Sequence, residues 1–176
     1  MTGVQTCALP IYPTKPGYQG PKLNQVGYKA DGIELETGGT IGNLGLNVNL
    51  VYSDEKMTSN LGDPSQIGRT SSGVPKWRYT ISPRYAISNA VIGATVRGGS
   101  WVYADGNNTT KIDGHYIVSA FVNYDFGRGI MASLNVNNLF DKVYPATGTG
   151  FVGGSTTIVG GAETGRTISA TVKYAF

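Results

Sequence analysis

Apolar and polar residues alternate along most of this chain, in segments set apart by turn residues. The pattern is clearest where Trp77, Tyr79, Ile81, Tyr85 and Ile87 share one parity and Lys76, Arg78, Thr80, Ser82 and Arg84 share the other. A period of two puts the two sets on opposite faces of a β-strand. Tyr116, Val118, Ala120, Val122, Tyr124 and Phe126 alternate in the same way with His115, Ser119, Asn123 and Asp125. Ile130, Ala132, Leu134 and Val136 alternate with Ser133, Asn135 and Asn137. Ile168, Ala170, Val172, Tyr174 and Phe176 alternate with Thr167, Ser169, Thr171, Lys173 and Ala175. Leu44, Leu46, Val48, Leu50 and Tyr52 form another series, and Ile92, Ala94 and Val96 a shorter one. Ile33 and Leu35 alternate with Glu34 and Glu36, with Gly32 blurring the start. No segment shows the 3.6-residue period of a helix. About seven strands are therefore expected, with a local bulge where Pro83 breaks its series and removes a ladder donor.

These segments approach or exceed the ~9–11 residues that a tilted strand needs to cross a bilayer, whereas strands of soluble domains usually run ~5–6. The connections alternate as well. Short links are expected at Gly38–Asn43, Ser88–Ala90 and Gly127–Gly129, and long ones at Asp54–Pro75, Ala104–Gly114 and Pro145–Glu163. Short turns at one rim and long loops at the other describe an outer-membrane barrel. Aromatic residues of the apolar parity gather at the segment ends. Tyr52, Trp77 and Tyr116 lie near the long loops, and Tyr85, Tyr124, Phe126, Tyr174 and Phe176 near the short turns. From Tyr116 to Phe126 is about 33 Å of strand, or about 25 Å of height at a tilt of ~40°. That is the height of the lipid-facing band between two aromatic girdles.

Composition supports a membrane wall over a soluble domain. Only 14% of the 176 residues are charged and 26 are Gly, against roughly 25% and ~7% in an average chain. No run of ~18 apolar residues offers a transmembrane helix, and the mean hydropathy of -0.13 averages two unlike faces. A net charge of +3 without a Lys/Arg cluster gives no footprint for nucleic acid.

Residues 1–11, Met1 to Ile11, resemble a translated sequencing-library adapter and are set apart from the protein. Cys7 then says nothing about redox compartment. The Pro- and Gly-rich stretch from Tyr12 to Pro21 reads as loop. Residues 12–176 are expected to be the C-terminal part of a longer barrel. Seven strands are an odd number, and open edges in lipid leave backbone groups without partners.

Leu134-Asn-Val-Asn-Asn-Leu-Phe-Asp-Lys-Val-Tyr144 and the ending Gly165-Arg-Thr-Ile-Ser-Ala-Thr-Val-Lys-Tyr-Ala-Phe176 resemble the C-terminus of TonB-dependent outer-membrane receptors. Gly32-Ile-Glu-Leu-Glu36 and Asp113-Gly-His-Tyr116 are similar to strands further upstream in that family. The likeness spans Asn24 to Phe176. It implies an all-β transmembrane antiparallel barrel of 22 strands with an N-terminal plug, of which this chain holds about the last seven strands. It implies a place in the outer membrane of a Gram-negative bacterium, among outer-membrane lipid. It also implies TonB-driven uptake of a scarce ligand, first of all a ferric siderophore. The motif residues are Asn138, Leu139, Phe140, Asp141, Lys142 and Tyr144. The resemblance further implies that the barrel-assembly machinery reads the stripe Ile168, Ala170, Val172, Tyr174 and Phe176. The plug and the segment that meets the TonB complex lie upstream. A porin-like passive barrel and a soluble β-sandwich binding module remain as other readings.

Catalytic and cofactor chemistry find no support. Gly148-Thr-Gly-Phe-Val-Gly153 matches a dinucleotide fingerprint but lacks the following helix and the acid ~20 residues on. His115 is the only His, with no Cys or carboxylate cluster beside it, so no metal site is expected. The candidate ligand residues are lumen-facing: Arg78, Arg84, Arg97, Trp101 and Tyr103. The arginines suit an oxygen-rich anion or contacts with the plug, and the plug is favoured. Trp101 and Tyr103 either stack on a ligand or are turned into the outer girdle by a bulge at Gly98–Gly99.

Overall fold

A computed structural model describes residues 26–144, 150–151, 158–159 and 164–176. The adapter-like segment and the Pro-rich stretch after it lie outside these residues. In chain order the strands are β1 (Val26–Ile41), β2 (Leu44–Asn60), β3 (Trp77–Ile87), β4 (Ala90–Gly99), β5 (Val102–Tyr103), β6 (Lys111–Ile112), β7 (His115–Gly127), β8 (Ile130–Asn137), β9 (Gly150–Phe151), β10 (Ile158–Val159) and β11 (Thr167–Tyr174). Seven of them form one sheet in the order β1-β2-β3-β4-β7-β8-β11, every neighbour antiparallel. The pairs β5–β6 and β9–β10 are separate small hairpins. No described helix is long and apolar enough to cross a membrane; strands would have to do it.

The register carries the sequence alternation across the sheet. Leu35, Leu50, Tyr79 and Gly98 line up across β1 to β4, as do Val96 and Val118 across β4 and β7. Ala120, Val136 and Ile168 continue the same face over β7, β8 and β11. The opposite face carries Glu36, Asn49, Thr80 and Arg97, and further on Ser119, Asn135 and Ser169.

This sheet encloses almost nothing. Among the described residues only Met57, Ala104 and Ile117 are buried apolar side chains, while Ile33, Leu35, Ile41, Leu44, Ile168, Val172 and Tyr174 are all more than half exposed. A single layer with an apolar face of this extent needs a surrounding apolar phase to hide it.

The apolar face also shows where its apolar band ends. Tyr52 and Trp77 are cross-strand partners with ring centroids 4.8 Å apart. Two residues further out on the same face, Asp54 takes the place of Tyr52, and Asp31 of Ile33. Asp54 pairs with Lys76 at 2.7 Å and Lys56 at 3.6 Å, and Asp31 with Lys29 at 2.9 Å. Charge thus follows the aromatic girdle within one step of the strand period. At the other end Tyr124 packs edge-on against Phe126 at 4.6 Å, and Tyr174 lies 6.1 Å from Phe176.

The connections differ from expectation in length and detail. The short links are two-residue turns, Gly42–Asn43, Ser88–Asn89 and Arg128–Gly129. Gly38 and Gly39 belong to β1 and pair with Asn47 and Leu46, so the first turn is tighter than Gly38–Asn43. Strand β2 runs on past Asp54 to Asn60, where a loop segment replaces β3 as its partner: Met57 donates to Arg69 and Ser71 to Glu55.

The bulge expected at Pro83 does not form. At Pro83 the β3–β4 ladder skips Ser82 and Pro83 and resumes in the same register at Arg84, while β2 stays paired to Pro83 throughout. The missing donor therefore costs a ladder bond without adding a residue, and the Ser82 and Thr95 hydroxyls bridge the gap at 3.1 Å. At Gly98–Gly99 the β4–β7 ladder is regular to its end at His115. The register shifts that do occur lie at Gly27/Tyr28 and Asp125/Gly127.

Candidate functional site

The polar face is the candidate site. Its charges are segregated. Glu34 and Glu36 stand on β1, where Glu34 accepts from the Asn49 amide at 3.3 Å. Arg78, Arg84 and Arg97 stand on β3 and β4, and Asp125 and Lys173 near the short-turn end of β7 and β11.

The arginines do not form one cluster. Arg97 pairs with Thr80, so Arg78 is its diagonal neighbour, about 7–8 Å away across the ladder. Both lie at the level of the outer girdle, since Gly98 is opposite Tyr116 and Val51, the neighbour of Tyr52, is opposite Arg78. Arg84 is four residues deeper than Thr80, about 13 Å along the strand. Its side chain lies flat over Gly45, where an added Cβ would come within 2.6 Å of the guanidinium Nε.

Two polar hollows flank these residues. One, of about 330 Å³, is lined by Arg97, Ile117, Ser119, Asn137, Asn138, Thr164, Gly165 and Thr167. The other, of about 260 Å³, lies among Glu36, Asn47, Asn49, Thr80 and Ser82. Hydroxyl, amide and guanidinium groups in the first suit an oxygen-rich anion. No described group of three or more His, Cys, Asp or Glu side chains is placed to hold a metal.

Trp101 and Tyr103 lie past the end of β4, carried by the β5–β6 hairpin rather than by the sheet. Their rings meet edge-on at 5.1 Å, and the Lys111 ammonium lies 4.2 Å from the Trp101 centroid and 5.8 Å from that of Tyr103. This cation–π contact was not visible in the sequence. Lys111 sits eight positions beyond Tyr103, and only the hairpin brings them together.

The long loops are joined to each other. Thr70 donates to the Asn108 side chain at 2.9 Å, Asn108 donates back to the Thr70 carbonyl at 2.8 Å, and Arg69 bonds the Asn107 carbonyl. Gly73 donates to Tyr103 at 2.8 Å. Asp105 turns the hairpin by accepting from the Thr109 and Thr110 N–H groups at 3.1 and 2.7 Å. Burial works against its charged form, but these bonds outweigh it and hold the Asp105 carboxyl below its ordinary range. Asp63 caps the short helical turn Pro64–Gln66; the Ser65 hydroxyl bonded to it keeps its carboxyl low as well.

The motif residues act as a unit at the outer end of β8. Asn138 is buried, Leu139 and Phe140 are exposed, and Tyr144 stacks on His115 with centroids 4.7 Å apart. Leu139 donates to the Val118 carbonyl at 2.7 Å, and Lys142 to Asn138 at 2.9 Å. Each residue of the C-terminal stripe that lies in β11 faces an apolar partner on β8: Ile168 and Val136, Ala170 and Leu134, Val172 and Ala132, Tyr174 and Ile130.

Residues 8–139 match the model of the family described as TonB dependent receptor-like, beta-barrel. The chain belongs to the TonB-dependent receptors. It is 32% identical over 132 residues to the ferrichrome outer membrane transporter/phage receptor of Escherichia coli, covering 68% of this chain and 17% of that protein. The siderophore receptor PiuA of Acinetobacter baumannii superposes with a TM-score of 0.70 at 23% identity, over 85% of this chain and 22% of that one. The ferric yersiniabactin uptake receptor FyuA of Yersinia pestis gives 0.73 at 20% identity, over 87% and 24%. The chain thus spans about a quarter or less of these proteins' length. TonB-dependent receptors are outer-membrane transport receptors of Gram-negative bacteria and not enzymes. Membership sets aside the porin and the soluble sandwich.

Proposed function

We propose that the protein containing this chain is a TonB-dependent transporter that takes up a ferric siderophore, and that residues 12–176 supply the last strands of its barrel, with residues 1–11 foreign to it. Membership in the receptor family carries this reading. The partners that follow are an N-terminal plug, the TonB complex, outer-membrane lipid and the ferric ligand. The barrel-assembly machinery would read the stripe from Ile168 to Phe176, whose strand β11 is the last in the sheet. The position of Arg78 and Arg97 at the outer girdle supports a role in receiving an anionic ligand, whereas Arg84, deeper on the wall, fits contact with the plug.

The test is growth on ferric siderophores as sole iron source, in a strain whose only receptor is the complete gene. Growth that requires TonB supports the proposal; growth unchanged by loss of TonB overturns it. Arg78→Gln with Arg97→Gln is expected to weaken ligand binding about tenfold or more, as loss of charged hydrogen bonds does. Arg84→Gln should leave affinity unchanged. Equal effects of the two changes would end the distinction.

A further inference from the structure

Two-residue turns fix the register of the strands that they join. Strand β11 has no such help, because the link from β8 runs over residues 138–166. Nor does the alternation settle it. A slip by one residue would put Ile168 and Val172 in the lumen, but a slip by two keeps every side chain on its proper face. Something else must choose between registers two residues apart.

We propose that Asn138 and Asp141 form a clasp that fixes the register of the last strand. The Asn138 amide nitrogen donates to the Lys142 carbonyl at 2.7 Å and to the Thr164 carbonyl at 3.2 Å, while its oxygen accepts from the Lys142 N–H at 2.9 Å. The Asp141 carboxylate accepts from the Arg166 N–H at 2.8 Å. Thr164 and Arg166 immediately precede Thr167, where pairing begins opposite Asn137. Each end of the clasp thus grips the chain within three residues of that first pair. Asn138 is only 3% exposed, so losing these partners leaves a buried amide that must find others. Asn138 and Asp141 both have φ of 51°, and the Asp141 N–H closes the turn on the Asn138 carbonyl at 2.9 Å. Tyr144 on His115 anchors the following residues to β7. This accounts for the order of the motif: an amide that both donates and accepts, then a carboxylate three positions on.

The test uses the complete receptor in outer membranes. Asn135→Cys with Ser169→Cys reports the native register, and Asn135→Cys with Thr171→Cys the two-residue slip, both read as cross-linking under a mild oxidant. In the parent only the first pair should close. Asn138→Ala with Asp141→Ala should raise the ratio of slipped to native cross-link roughly tenfold or more. An unchanged ratio overturns the proposal. Should that variant fail to accumulate, single changes decide. Asn138→Gly accepts the positive φ but lacks the amide, so it should slip as Asn138→Ala does. Asp141→Asn keeps the accepting oxygen and should behave as the parent. Native register in Asn138→Gly, or slippage in Asp141→Asn equal to that of Asp141→Ala, would show that backbone shape or charge matters instead.

Discussion

At the short-turn rim three links make the same bond, while at the long-loop rim the described loops 61–76 and 100–114 are held by different bonds. The carbonyls of Asn43, Asn89 and Gly129, each the second residue of its turn, accept from the N–H of Ala86 on β3, Asp125 on β7 and Ala175 just past β11, at 2.9, 2.9 and 2.8 Å. The first residues Gly42, Ser88 and Arg128 all have φ near +50°. Backbone groups make this bond at all three turns, and at one of them the Asn89 amide adds a bond to the Asp125 carbonyl at 3.2 Å. At the other rim, Asn108, Asp105 and Asp63 hold the loops by side-chain bonds to particular backbone groups. Local geometry repeats where chains turn tightly. Where they travel far, each contact needs its own residue.

The largest expected effect is at Gly129. Its φ is +77°, and a Cβ there would collide with the Ala175 carbonyl. Gly129→Ala should cost about 2–4 kcal/mol through strain and the displaced bond to β11, measured by urea unfolding of the refolded receptor in detergent. A cost below ~1 kcal/mol would show that the short-turn rim tolerates change as the other does.

Asn108→Ala comes next. It strands the Thr70 N–H and C=O, at about 1–3 kcal/mol locally. Proteolysis in the loops 61–76 and 100–114 should speed up while the unfolding midpoint of the barrel stays fixed. A shift of that midpoint would mean that the loops brace the wall.

Acid should loosen the long-loop rim. The depressed carboxyls of Asp63 and Asp105 stabilise the loops above their unfolded value of ~3.9, and that support is lost as pH falls through their lower folded values. Hydrogen exchange at Thr109 and Thr110 should therefore rise, relative to the intrinsic rate at each pH, below about pH 4, with exchange at Ala86 unchanged.

Ser88→Gly should do least. It relieves a left-handed Ser at the cost of chain entropy, leaving a net change within about 1 kcal/mol. A larger loss would show that the Ser88 side chain contributes more than its backbone.

Much of the wall was legible because a strand's two faces need only a parity. Trp77 and Arg78 declare their sides by being adjacent and unlike. Pro83 misled because a missing donor looks like a break, yet β2 still pairs with it and the register holds. The true shift at Asp125/Gly127 left no comparable mark; it is made by Gly127 at φ +75° before a turn. Trp101 and Tyr103 share one parity near the end of their segment. Their partner Lys111 was not legible, because a hairpin of nine residues brings it to them. The motif from Asn138 to Tyr144 was recognisable as a string, but its bonds to Thr164 and Arg166 cross a long link that no local rule predicts.

The sequence by itself determined the number of strands in the main sheet, its two faces, the aromatic residues at the strand ends and the sorting of short turns from long loops. All of these follow from residue chemistry read at a spacing of two. Tertiary structure decided the register across the long connections, the placing of Arg78 diagonal to Arg97 and apart from Arg84, and the knitting of the outer loops. Alternation is unchanged by a slip of two residues, so only contacts between distant segments can select among the registers it allows.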